Sequence, residues 1–136
     1  MATRSRIGIE LKDGSILSAY HHWDGYPEWL GRILKTHYNT KEKVAELIDG
    51  GDMSTAWTNC GWQNETRPET GPMYYSERGE DCPPRLDKDH GTYLTEGAEE
   101  YAYLFTTQGE WICHDTCHWH DTYLESVEIP SGALAV

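Results

Sequence analysis

Alternating apolar residues that end in a turn dipeptide constrain this chain more than any other feature. Ile7, Ile9 and Leu11 alternate with polar residues or glycine, which is typical of a strand with one buried face. The dipeptide Asp13-Gly14 that follows is a strong signal for a two-residue hairpin turn. Pairing across such a turn predicts the following opposed residues: Lys12–Ser15, Leu11–Ile16, Ile9–Ser18, Ile7–Tyr20 and Arg6–His21.

Opposed residues share a face of the sheet, so this register also predicts the two faces of the second strand. The apolar face continues through Ile16, Ser18, Tyr20 and His22. The opposite face receives Leu17, Ala19, His21 and Trp23.

A second hairpin is predicted near the C-terminal end of the chain. The strand 101–107 is followed by the turn Gln108-Gly109 and by a returning strand. This register places Tyr101, Tyr103, Phe105, Ile112 and His114 on one face, and Leu104, Trp111 and Cys113 on the other. Residues 123–129 alternate again and predict an edge strand that Pro130 closes.

Two helices are predicted between the hairpins. Asp24 can cap the first, Pro27 suits its first turn, and its buried stripe would comprise Leu30, Ile33, Leu34 and His37. Gly31 within this helix indicates close approach of another segment, because glycine there costs about 1 kcal/mol relative to alanine. The second helix, residues 41–48, would be capped by Thr40 and ended by residues 49–51.

Residues 52–100 carry no sustained periodicity, although residues 73–76 could form a short strand. We therefore predict a single α+β domain spanning residues 1–136. It would consist of an antiparallel sheet of hairpins with two helices packed on one face and a long irregular middle excursion.

Charge is distributed unevenly along the chain, whose net charge is -12. Residues 1–45 hold seven Lys and Arg against five Asp and Glu, whereas the remainder holds four against eighteen. An acidic body disfavours direct binding to nucleic acid or to a membrane surface. The basic N-terminal third leaves open a local cationic pocket for a small anion. With no apolar signal core in residues 1–6, we expect a cytoplasmic protein with its cysteines as thiols.

Polar and aromatic side chains crowd the corner between the first hairpin and the first helix. An aspartate near an imidazole fixes its tautomer, and Tyr and Trp offer stacking faces. The predicted ligand-binding residues here are His22, Trp23, Asp24 and Tyr26, with Arg4, Arg6 and Arg78 supplying positive charge. The alternative stays open that Asp24 only caps the helix and His22 only closes the core.

The segment 113–121 is rich in Cys, His and Asp, but its spacing does not match a zinc site. His118 and His120 would share a face of an extended strand and could chelate an ion together, so they remain a weak metal-binding alternative. The sequence contains no nucleophile elbow, phosphate-binding loop or HExxH motif. We expect no cofactor.

Several segments resemble a family of small uncharacterised bacteriophage proteins. These are the start Thr3-Arg4-Ser5, the segment His22-Trp23-Asp24-Gly25-Tyr26-Pro27, and residues 75–80 and 100–105. The resemblance implies a phage accessory protein acting in the cytoplasm of the host cell. It carries no established activity.

We therefore expect a non-enzymatic phage accessory protein that sequesters a small polar, nucleotide-like molecule of host immune signalling. One alternative is an acidic inhibitor that binds a basic host protein, either a defence protein or one that binds nucleic acid. Another is a metal-dependent hydrolase. Assembly into a homo-oligomer whose neighbouring chains complete a pocket stays open.

Overall fold

The structure is a computed structural model, and it describes residues 3–23, 25–56, 72–95, 100–115, 126–127 and 129. Its strands are β1 (Ser5–Glu10), β2 (Ile16–His21), β3 (Met53–Thr55), β4 (Met73–Tyr74), β5 (Arg85–Asp87), β6 (Tyr101–Phe105), β7 (Trp111–Asp115) and β8 (Ser126–Val127). Its helices are α1 (Arg32–His37), α2 (Lys41–Asp49) and α3 (His90–Thr95). A π-helical turn at Pro27–Gly31 leads into α1, and a 3-10 turn spans Tyr75–Arg78.

The strands form a mixed sheet in the order β4-β3-β2-β1-β6-β7-β8, and β5 pairs with β2. β1 and β6 are parallel, as are β2 and β3. The predicted α+β class is confirmed, but the prediction of a wholly antiparallel sheet is wrong. A period-two pattern shows that a segment is a strand, yet it does not encode the direction of a partner distant in sequence.

The first hairpin differs by one residue from the predicted register. Leu11 N donates to Ser15 O at 2.9 Å and Gly14 N donates to Leu11 O at 3.0 Å, so the loop has three residues and not two. Gly14 takes the left-handed conformation, with φ of 88°. A β-turn followed by a left-handed glycine is the usual three-residue hairpin. Asp13 Oδ1 stabilises it by accepting from Ser15 N at 3.0 Å.

The second hairpin also differs by one residue from its predicted register. Thr106 N donates to Glu110 O at 2.8 Å, and Gly109 has φ of 80°. Phe105 therefore lies opposite Trp111. A one-residue shift moves every side chain of a strand to the other face. Ala19 thus pairs with Ile7, and Cys113 with Tyr103, contrary to the predicted faces.

Both faces of the sheet are covered. We call one the α1/α2 face; its buried core joins the two helices to Ile7, Ile9, Ala19, Tyr103, Phe105 and Cys113. The other, the α3 face, buries Ile16, Ala102 and Leu104 beneath Tyr93 and Leu94 of α3. Tyr93 lies over Gly8 and donates through its hydroxyl to Tyr103 O at 2.6 Å. The sequence analysis expected helices on one face only and missed α3.

The two predicted helices are confirmed. Pro27 begins the first helical segment, and Leu30, Ile33 and Leu34 are buried. Thr40 Oγ1 accepts from Lys43 N at 3.2 Å, which caps α2 as predicted. On α2 the buried residues are Val44, Leu47 and Ile48.

Gly31 has a packing explanation. A Cβ at this position would lie 2.7 Å from Ile129 Cγ2, so any larger residue here would have to displace the side chain of Ile129. β8 pairs with β7 at the edge of the sheet, consistent with the edge strand predicted for residues 123–129. The predicted cap Asp24 lies outside the described residues.

The three-residue turn can be tested by substituting Gly14. An added Cβ would meet no atom within 4 Å, so any cost arises from the positive φ alone. We expect Gly14→Ala to lower the free energy of unfolding by about 1–2 kcal/mol, and Gly14→Asn to cost less because asparagine tolerates this conformation. Urea denaturation measures both. Equal stability of the two variants would contradict the turn geometry.

Candidate functional site

The corner predicted to bind a ligand is anchored mainly through its backbone. His22 N and Trp23 N donate to Met53 O and Ser54 O at 3.2 and 2.9 Å. Gly25 N donates to Thr3 O at 2.8 Å, and its carbonyl accepts from the Tyr103 hydroxyl at 2.7 Å. The corner is therefore attached to three neighbouring segments of the chain.

The corner side chains include an aromatic pair. The His22 and Trp23 rings lie edge to face with centroids 4.6 Å apart, and Trp23 is 41% exposed. His22 Nδ1 shares a hydrogen bond of 2.7 Å with the Tyr20 hydroxyl, which orients the imidazole. Tyr26 is half-buried and its carbonyl accepts from Trp29 N and Leu30 N. These contacts hold the His22 and Trp23 rings against each other. That the corner binds a ligand stays a prediction.

Arg6 lies on the α3 face, where its register partner is Tyr20. It is 8% exposed and its Nε donates to Ser18 Oγ at 3.0 Å, so its guanidinium supports the sheet. Arg4 has an exposed side chain. Its backbone N–H donates to the Glu100 carboxylate, and its carbonyl accepts from Glu100 N at 2.9 Å. The shifted register places Arg6 with Tyr20 and not, as predicted, opposite His21.

The positions of the other side chains predicted to bind a ligand or a metal lie outside what the structure describes. Asp24, His118 and His120 lie outside the described residues, as does the side chain of Arg78, whose backbone ends the 3-10 turn. Within the described ranges, no group of three or more His, Cys, Asp or Glu could hold a metal ion. The metal-binding alternative at His118 and His120 therefore stays a prediction.

His21 is a buried titratable residue whose environment the sequence analysis did not identify. It is completely buried on the α1/α2 face, with its ring 6.3 Å from that of Trp29. Its Nε2 accepts from Ala56 N at 3.0 Å, and its Nδ1 has no hydrogen-bond partner among the described residues. Burial, and secondarily the neighbouring His22, lowers the pKa of His21 to about 3. The imidazole is therefore neutral and structural.

A cleft of about 430 Å³ lies at the opposite end of β1 and β2 from the corner. We call it the main lobe; residues 9–12, 39–41 and 105–107 with Gly109 line it. Its walls are the ends of β1 and β6 with the turns that follow, and the junction between α1 and α2. The buried side chains of Ile9 and Phe105 provide an apolar floor, while Lys12 and Lys41 are exposed at its rim.

A second depression of about 420 Å³, the side lobe, adjoins the main lobe. Asn39, Phe105 and Gly109 line both lobes, and Lys35, Glu110 and Trp111 complete the side lobe. Trp111 Nε1 donates to Tyr38 O at 2.8 Å, and its ring meets that of Phe105 edge to face at 5.2 Å. These contacts fix the indole in place.

The cleft is cationic within an acidic chain. Its lining contains Lys12, Lys35 and Lys41 against Glu10 and Glu110. The Glu10 carboxylate accepts from Thr107 N at 3.0 Å and lies 2.7 Å from His90 Nε2. The Thr107 amide, followed by His90, lowers the pKa of Glu10 and keeps it ionised. Glu10 therefore keeps its negative charge, and the three lysines leave the lining of the cleft with an excess of one positive charge over the two glutamates.

Comparison with known proteins gives no family assignment: no protein-family model, curated protein or solved structure matches this chain. In the part of the chain that the structure describes, no helix has the length and apolar character needed to cross a bilayer. Among the described residues, Cys82 and Cys113 are not joined in a disulfide.

The neutral state of His21 predicts acid sensitivity. In the unfolded chain it binds a proton near its ordinary pKa of 6.5, whereas the folded protein resists protonation until about pH 3. Its contribution to stability is therefore complete above pH 6.5 and declines as the pH falls toward 3. Between about pH 7 and about pH 5 the loss is about 2 kcal/mol.

Urea denaturation at both pH values tests this expectation against His21→Gln, whose side-chain oxygen can still accept from Ala56 N. The wild-type protein should lose more stability than the variant, by about 2 kcal/mol. An equal loss in both proteins would show that His21 is not the acid-sensitive group.

Proposed function

We propose that this protein is a non-enzymatic binding protein that holds a small anionic, nucleotide-like molecule in the main lobe. One observation carries the proposal: lysines and an apolar floor converge on a cleft in a chain of net charge -12. The cleft volume falls within the roughly 300–1,000 Å³ that small-molecule sites occupy.

The chemistry of the main lobe suits a molecule with a planar body and a charged end. The half-buried Leu11, above the buried Ile9 and Phe105, offers apolar contact for a base. Lys12 and Lys41 offer positive charge for a phosphate. Asn39 and Thr40 supply polar groups that can select among bases.

The corner and the main lobe cannot serve one small ligand together. They lie at opposite ends of β1, whose six residues span about 20 Å at about 3.3 Å per residue. We place the ligand in the main lobe because Lys12 and Lys41 are exposed at its rim, whereas Arg6 of the corner set is buried and bonded to Ser18. The resemblance to bacteriophage proteins favours sequestration of a host signalling nucleotide as the biological use.

Isothermal titration calorimetry with adenosine, guanosine, cytidine and uridine phosphates tests the proposal. We expect binding by at least one of them and weaker binding as salt is raised. The double variant Lys12→Gln/Lys41→Gln should lower that affinity about tenfold or more, because each lysine contributes a charge-assisted hydrogen bond.

Lys88→Gln is the matched control, since Lys88 is exposed and does not line the cleft. It removes one positive charge and should leave the affinity nearly unchanged. Absence of heat with every nucleotide, or equal affinities of the double variant and the control, would refute the proposal. Chromatography of the nucleotide after incubation should recover it intact; conversion would refute the non-enzymatic part.

A further inference from the structure

The main lobe and the side lobe form one continuous surface. Asn39, Phe105 and Gly109 line both, so the two lobes meet at these residues. The volumes, about 430 and 420 Å³, are nearly equal. Each lobe has the size of a small-molecule site, and together they stay within the range for one larger ligand.

The side lobe repeats the chemistry of the main lobe with different residues. The main lobe combines an apolar floor with Lys12 and Lys41, and the side lobe combines the half-buried ring of Trp111 with Lys35. The indole of Trp111 is held by its bond to Tyr38 O and is half-buried, so it offers a preorganised surface for stacking. Lys35 is exposed on α1.

We infer that the cleft binds a ligand built of two linked nucleotide units, one unit in each lobe. The inference rests on the proposed function and narrows it from a nucleotide-like anion to a dinucleotide. Asn39, which is exposed and lines both lobes, would lie where the linking phosphate passes from one lobe to the other.

When two nucleotide units are covalently linked, the second unit binds intramolecularly once the first is bound. Its effective concentration near the side lobe is then set by the short linker. A dinucleotide should therefore bind more tightly than a mononucleotide of the same charge. A nucleoside diphosphate is the right reference for this comparison, because a 5′-phosphorylated 3′–5′ dinucleotide has the same formal charge and differs by carrying a second nucleoside.

The experiment measures by calorimetry the affinity for adenosine diphosphate and for the 5′-phosphorylated 3′–5′ dinucleotide of two adenosines. The same comparison is made for guanosine, cytidine and uridine. For at least one base we expect the dinucleotide to bind about tenfold or more tightly than the diphosphate. Lys35→Gln should weaken the dinucleotide more than the diphosphate and so remove most of this advantage. Lys12→Gln/Lys41→Gln should weaken both ligands, and Lys88→Gln neither.

The outcomes separate the two proposals. If diphosphates bind through Lys12 and Lys41 but no dinucleotide binds more tightly, the proposed function stands and the two-unit ligand is refuted. A dinucleotide advantage that Lys35→Gln leaves intact also refutes occupation of the side lobe. If neither class of nucleotide binds, the proposed function fails and this inference fails with it.

Discussion

Parallel pairing of β1 with β6, from Ser5–Tyr101 to Ile9–Phe105, brings the turns of both hairpins to the same end of the sheet. The junction between α1 and α2 lies beside these turns, so three segments distant in sequence enclose the main lobe. The same pairing aligns Ile7 with Tyr103 beneath the two helices and Gly8 with Leu104 beneath α3. Both the core and the cleft therefore depend on the pairing of two strands, β1 and β6, that are far apart in the sequence.

Much of the local structure was predictable, and the errors share one physical origin. Thr40 capping, the buried residues of α2 and both hairpins followed from patterns within a few residues. Asp13-Gly14 and Gln108-Gly109 were interpreted as two-residue turns, yet each glycine is the last residue of a three-residue loop. The same dipeptides suit both loop types, so the turn sequence alone does not determine the register. Because faces alternate, that single residue reversed every assignment on β2 and β7.

The candidate site was less predictable than the fold. The sequence drew attention to the corner because its polar and aromatic residues are consecutive, as with His22 and Trp23. The cleft is lined by residues such as Lys12, Lys41 and Phe105, which belong to a turn, a helix and a strand far apart in the sequence. Nothing in the sequence near each of them indicates that the fold brings them together. The excess of Lys and Arg in residues 1–45 was the only signal for it, and it indicated a cationic pocket without its location.

The carboxylate of Glu10 bonds Thr107 N, which belongs to a wall of the cleft, and His90, the first residue of α3 on the far side of the sheet. A ligand that shifts Thr107 would therefore alter the hydrogen bonding of Glu10, and with it the contact between Glu10 and His90. By thermodynamic reciprocity, a change that strengthens or breaks the His90–Glu10 contact would then change the affinity of the main lobe. Glu10 thus links the cleft to one contact of α3, a helix that is otherwise held by its buried residues Tyr93 and Leu94.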